Sequence, residues 1–286
     1  MKKILVCIDG SRYGQVCCQY AFWFAHKTHA SVDVLYVSEN WQYEAPLIAD
    51  FGGSLGAQPY MGLTEQLRQV EAEKAGVLGG YVNDMARKEG IAGRVAVHHR
   101  TGSLVDCITE FESEMGGAGL VIIGKRGEGA NMATAHLGSN MERVVRASPL
   151  PCFVANREFF EPRKILIAYD GSASADKAVA WFGVNRAAFA GAELHVVSVA
   201  RHGEEAHATD RLAVAEQTLL GFHRRIIAKV LPNASAADAI AHYQQSQGIN
   251  FLLMGAYGHS RIRRLLIGST TTEIIQRCLV PVVLFR

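Results

Sequence analysis

Short, unbroken apolar runs recur along this chain, and each ends at a turn. Ile4-Leu-Val-Cys-Ile8 meets Asp9-Gly10-Ser11, and Ile165-Leu-Ile-Ala-Tyr169 meets Asp170-Gly171-Ser172. A continuous apolar run of this length predicts a strand buried on both faces, as in a parallel sheet. Asp-Gly-Ser then turns the chain and offers Ser or Asp to cap a helix. The helical period follows in both places. Cys17, Tyr20, Ala21 and Phe24 form one apolar stripe, and Ala175, Ala178, Val179 and Phe182 form another.

The chain is therefore written twice. Second strands are predicted at Val32–Val37 and Leu194–Val199, and fourth strands at Leu120–Gly124 and Phe251–Gly255. Each fourth strand runs into a glycine-rich loop that later reaches Gly-Ser, at Gly138-Ser139 and Gly268-Ser269. Thirteen residues beyond each of those glycines comes a proline, Pro151 or Pro281, opening a last strand at Cys152–Ala155 or Val282–Phe285. Third strands are less alike and are expected at Arg94–His99 and Arg225–Val230. Strands alternating with helices imply βαβ units and parallel sheets with right-handed crossovers. The fold class is α/β: two tandem, doubly wound, five-stranded sheets with helices on both faces, in domains spanning 1–156 and 162–286. The first copy alone carries an insert, Asn40 to Gly62, expected to form a long loop or lid with a short helix.

Composition narrows the function classes. With 29 basic and 27 acidic residues the net charge is +2, too balanced to attract nucleic acid or an anionic membrane surface. No apolar run reaches membrane-spanning length, and the first residues read as a strand rather than a leader, so a cytoplasmic protein is expected. The six cysteines form no Cys-x-x-Cys pair and match no zinc spacing; they read as reduced, buried apolar side chains. The Arg261, Arg263 and Arg264 cluster reads as a solvated helix face.

The candidate chemistry lies at the carboxyl ends of the strands, where doubly wound sheets bind ligands. The second copy spells Gly255-x2-Gly258-x9-Gly268-Ser269-Thr270. Glycines admit close approach of the backbone to an anion, and a helix starting at Gly268-Ser269-Thr270 would present free N–H groups and hydroxyls to phosphate. Asp170 suits an exocyclic amine, a ribose hydroxyl or a metal. The first copy departs from this spacing: ten residues rather than nine separate Gly127 from Gly138, and Asn140 stands where Thr270 does. Its loop either packs on the other domain or forms a variant anion site assisted by Lys125 or Arg126.

This constellation resembles the universal stress protein family, in which Gly-x2-Gly-x9-Gly-Ser/Thr marks members that bind ATP. The resemblance covers nearly the whole chain as two domains in tandem. It implies strand order 3-2-1-4-5 in each and antiparallel pairing of the two final strands, whose apolar edges would otherwise lie open. It also implies ATP, often with Mg or Mn. The base would lie near Asp170 and Val199, and the phosphates on Gly255, Gly258, Gly268, Ser269 and Thr270. Asp9, Val37, Gly124, Gly127, Gly138 and Ser139 are the weaker counterparts.

No P-loop, Gly-x-Ser-x-Gly elbow or His-Glu-x-x-His motif occurs. His98 and His99 should point to opposite faces of a strand and hold no metal together, and His259, just after Gly258, either touches a phosphate or faces solvent. With no positioned base, ATP hydrolysis is at most slow. The expected function is an ATP-binding stress-response regulator acting as a switch or stabiliser, with an adenine nucleotide, a homodimer mate and an unidentified protein as partners. The alternative is an interaction module that holds no nucleotide.

Overall fold

The computed structural model describes residues 1–39, 58–114, 119–127, 137–223, 225–232, 235–256 and 268–286. The first half runs β1 (Lys3–Ile8), α1 (Arg12–Thr28), β2 (Ser31–Ser38), α2 (Gln58–Lys88), β3 (Val95–Thr101), α3 (Leu104–Glu114), β4 (Leu120–Gly124), α4 (Ser139–Ala147) and β5 (Cys152–Ala155). The second runs β6 (Lys164–Ala168), α5 (Ala173–Val184), β7 (Glu193–Ala200), α6 (Glu205–Leu220), β8 (Ile226–Pro232), α7 (Ala236–Gln247), β9 (Phe251–Gly255), α8 (Ser269–Arg277) and β10 (Val282–Phe285).

Both halves have the expected order, and they share one sheet: β3-β2-β1-β4-β5-β10-β9-β6-β7-β8. Eight of its pairings are parallel. The exception joins the halves, with β10 antiparallel to β5 at Val282↔Val154, Val283↔Phe153 and Leu284↔Cys152. The final strands are thus interior and the third strands, β3 and β8, are the edges. Those edge strands start one residue later than predicted and end two later. Their ladders continue to Ser38↔Thr101 and Ala200↔Pro232: in β3 backbone pairing outruns the apolar pattern at Arg100 and Thr101, whereas in β8 it takes in the buried Leu231 and ends at Pro232. Pro232 is tolerated as the last residue of an edge strand. The insert also differs from expectation: α2 begins at Gln58, inside the predicted loop, and residues 40–57 lie outside the described residues.

Successive strand residues face opposite layers. Ile4, Val6 and Ile8 pack with α1 and Leu5 and Cys7 with the opposite layer, which holds α3, α4, α7 and α8. The first layer crosses the domain boundary. Phe24 of α1 meets Phe153 at 6.0 Å between ring centroids, and also Phe189 at 6.0 Å and Phe251 at 6.5 Å in the second half. The connecting segment is held by the Tyr20 hydroxyl, which donates to the Phe160 carbonyl and accepts from the Phe160 N–H. Lys125 also crosses: its buried ammonium donates to the Gln276 carbonyl, 3.4 Å away, at the end of α8. All six cysteines are reduced and buried, and Cys17 and Cys18 lie in the packed layer of α1.

Two predictions follow from this packing. A thiol reagent should titrate no cysteine of the native chain within minutes and all six in guanidinium, because burial raises the thiols, to about 12 for Cys18 and Cys152. Rapid labelling of Cys17 or Cys18 would contradict the assigned packing. Burial also lowers Lys125 to about 8 from an ordinary value of 10.5, so the unfolded chain binds more protons between those values. Stability should therefore rise through that window as the unfavourable buried charge is relieved. Lys125→Met should flatten the rise and stabilise the chain at neutral pH by on the order of 2 kcal/mol. Chemical denaturation across pH reads both effects.

Candidate functional site

Each half opens a crevice at the carboxyl ends of its strands, and the Asp-Gly-Ser turns build both floors. In each turn the aspartate accepts from the serine N–H, Asp9 from Ser11 at 3.0 Å and Asp170 from Ser172 at 2.9 Å. The glycine takes positive φ, 86° at Gly10 and 75° at Gly171. The serine is the cap, accepting from Gly14 N–H or Ala175 N–H at 3.2 Å. These bonds hold each aspartate at the strand end beside the start of the next helix.

The glycine loops are anchored alike. Gly138 N–H donates to the Lys125 carbonyl, and Gly268 N–H to the Ala256 carbonyl, one residue past the strand in each case. The extra residue of the first loop therefore falls between matching anchors. Glu128, Asn131 and His136 of that loop lie outside the described residues, as do Gly258, His259, Arg261, Arg263 and Arg264. Several glycines answer to packing. A Cβ on Gly255 would lie 2.4 Å from Ser174 Oγ in α5, one on Gly124 2.7 Å from Tyr13 Cβ in α1, and one on Gly127 2.6 Å from Asp9 Oδ2. Gly268 is different. It has φ −57° and room for a Cβ, whose nearest atoms would be 3.5 and 3.6 Å away. Neither its backbone nor its neighbours among the described residues require glycine.

In the second half, Asp170, Val199 and Thr270 share a cavity of about 770 Å³. Thr270 stands in the first turn of α8, whose N-terminus carries partial positive charge. Gly255, Gly268 and Ser269 are beside this cavity rather than in its lining. Sequence reasoning missed its charged walls: Arg201 just beyond β7, Glu204, His207 and Arg211 around the start of α6, and Glu273 on α8. Arg211 lies across the Asp170-Gly171 turn, where a Cβ on Gly171 would meet its Cδ at 2.6 Å. Its Nε is buried with no hydrogen-bond partner among the described residues.

The first-half cavity, about 320 Å³, brings together all six weaker candidates: Asp9, Val37, Gly124, Gly127, Gly138 and Ser139. Arg126 lines it too, whereas Lys125 points away into the other half, so only one of the two suggested cations is at the site. Glu39, unforeseen, enters this cavity and accepts from Asn140 Nδ2 at 2.9 Å, the Leu104 N–H at 3.2 Å and Arg143 Nη2 at 3.4 Å.

The paired histidines do structural work on opposite sides of β3. His98 bonds Asp33 at 2.9 Å and meets the Phe111 ring edge-on, while His99 bonds Ser38 at 2.8 Å and stacks on Tyr36. Among the described residues no three His, Cys, Asp or Glu side chains gather as a metal site, and no helix is long and apolar enough to cross a membrane.

Comparison with known proteins gives the same outline. A universal stress protein from Synechocystis sp., Slr1230, is 38% identical over 295 residues, covering 100% of both chains. The crystal structure of a universal stress protein from Archaeoglobus fulgidus superposes with a TM-score of 0.70 over 99% of this chain and 98% of that one; at 21% identity this is a likeness of fold. The universal stress protein family model matches twice, over residues 1–156 and 161–286. The chain belongs to the universal stress protein family, with two family domains in tandem.

Proposed function

We propose that the chain is a cytoplasmic stress-response regulator that holds an adenine nucleotide in its second domain, 162–286, rather than in its first, 1–156. The observation that supports this most strongly is the second-half cavity, where Asp170 and Val199 at the strand ends face Thr270 at the start of α8. The unbroken Gly255-x2-Gly258-x9-Gly268-Ser269 spacing runs into that same helix start. On this reading Asp170 accepts from the ribose or the exocyclic amine. The α8 N-terminus, Ser269 and Thr270 take the phosphates, with Gly258 in the loop between.

Arg201, His207 and Arg211 offer further donors to the nucleotide. Glu204 and Glu273 are hard oxygen donors suited to Mg or Mn, but an ion there would rely on phosphate oxygens as well, which fits a metal arriving with ATP. On this reading the nucleotide acts by occupancy, and hydrolysis is at most slow.

A second reading, as an interaction module or homodimer, has its own support on α2. Val70, Val77 and Tyr81 are exposed at spacings of seven and four, an apolar stripe on one helix face.

Protein purified gently from its own cells should carry about one adenine nucleotide per chain by mass spectrometry, in line with a pre-formed cavity. Protein that arrives empty and binds no ATP on titration would favour the interaction reading. Gly268→Val should weaken ATP binding by at least about tenfold while costing only on the order of 1 kcal/mol of stability, since its Cβ has room and only the cap is changed. Unchanged ATP affinity would remove Gly268 from the site.

A further inference from the structure

The two crevices differ by an exchange of charge at matched positions. Glu39 is the residue after β2, and Arg201 is the residue after β7, each following a strand of eight residues. Counting from the helix starts at Ser139 and Ser269, Arg143 on α4 matches Glu273 on α8. The acid stands at the strand end in the first half and on the helix in the second, with the base in the opposite place.

That exchange changes what the first cavity can hold. The Glu39 carboxylate takes the Leu104 N–H at the start of α3, the Asn140 amide on α4 and the Arg143 guanidinium. Those donors, among them Asn140 at the position of Thr270, are committed to a carboxylate supplied by the chain itself. Asn140 is further fixed by its own bond to Arg143. A carboxylate has about four lone-pair positions. Three accepted bonds among the described residues leave Glu39 room for about one more.

Asp9 is a second carboxylate in the lining, and Arg126 is the cation there. The remaining walls include Ile8, Val37, Ile123, Leu137 and Met141. The cavity therefore offers apolar walls and acceptors; Arg126 and the Arg143 ion pair balance its two carboxylates, so what disfavours phosphate is the set of donors that Glu39 already holds.

We propose that the first-half cavity takes a small, phosphate-free, donor-rich heterocycle, a nucleoside rather than a nucleotide, with Glu39 excluding phosphate by standing in its place. The apolar walls hold the ring, and Asp9 and Glu39 accept from its amine or hydroxyl groups. The comparison with the second half rests on the nucleotide reading given above; the cavity and the three bonds to Glu39 do not.

The test is calorimetric titration of the full chain with adenosine and with ATP, in wild type and in a Val199→Trp background that fills the second cavity. In that background adenosine should bind at one site per chain and ATP at least about tenfold more weakly. Glu39→Gln, which removes the charge but keeps an acceptor, should bring ATP to within about threefold of adenosine. Val37→Trp, which fills the cavity, should abolish adenosine binding in the same background, with circular dichroism reporting retained folding. Equal affinities for ATP and adenosine in the presence of Glu39, or no adenosine binding at millimolar concentration, would overturn the proposal. So would adenosine binding that survives Val37→Trp. If wild type binds no ATP but loses one adenosine site on Val37→Trp, the first-half assignment stands and the nucleotide reading of the second half falls.

Discussion

Everything in this molecule is referred to one pairing, the antiparallel contact of β5 with β10. A parallel sheet buried on both faces ends in apolar edges, and an edge of that kind must be covered. Here each half covers the other's last strand, through Val282↔Val154 and its neighbours. The pairing fuses two five-stranded units into one sheet and lets a single aromatic layer, with Phe24, Phe153, Phe189 and Phe251, run beneath both. The two crevices are then fixed relative to each other, because every strand end that builds them belongs to the same hydrogen-bonded sheet.

Within that frame the duplicated sites have kept their backbone and exchanged their chemistry. The Asp-Gly-Ser turn, the serine cap and the closure of the helix-start glycine onto the residue after the fourth strand recur in both halves. Side chains just after the second strands, and one turn into the last helices, do not recur. Glu39 and Arg201 occupy matched positions with opposite charge, as do Arg143 and Glu273. Backbone geometry is constrained by packing, visible in the close approach of Gly124 to Tyr13 and of Gly255 to Ser174. The positions just after β2 and β7 carry opposite charges on the same backbone, so the crevices differ in chemistry while the fold stays the same.

The sequence disclosed most where burial is continuous. The fourth and fifth strands of each half have the bounds that their apolar runs predict, because a strand buried on both faces writes its limits as a change from apolar to polar. The edge strand β3 runs two residues past its predicted end, since Arg100 and Thr101 stay in the ladder with no apolar signal to mark them. The strand-end aspartates and helix-start residues were legible because the turn and the repeat fix their places. Glu39 and Arg211 were not. Glu39 acts through Asn140, which is remote along the chain, and Arg211 looks like any polar residue on a helix until its side chain is seen lying over Gly171. Lys125 was read with two alternatives, and its bond to Gln276 settles it as a contact between the halves.

On the proposed reading one fold, used twice, presents an anion-accepting crevice in the second half and an anion-excluding one in the first. The most direct measurement is a crystal structure of the full chain grown with a non-hydrolysable ATP analogue. The account predicts analogue density in the second half, with its phosphates at Ser269 and Thr270, and Glu39 still bonded to Asn140 and Leu104 in the first. Phosphate density at Ser139, with Glu39 displaced from those donors, would contradict it.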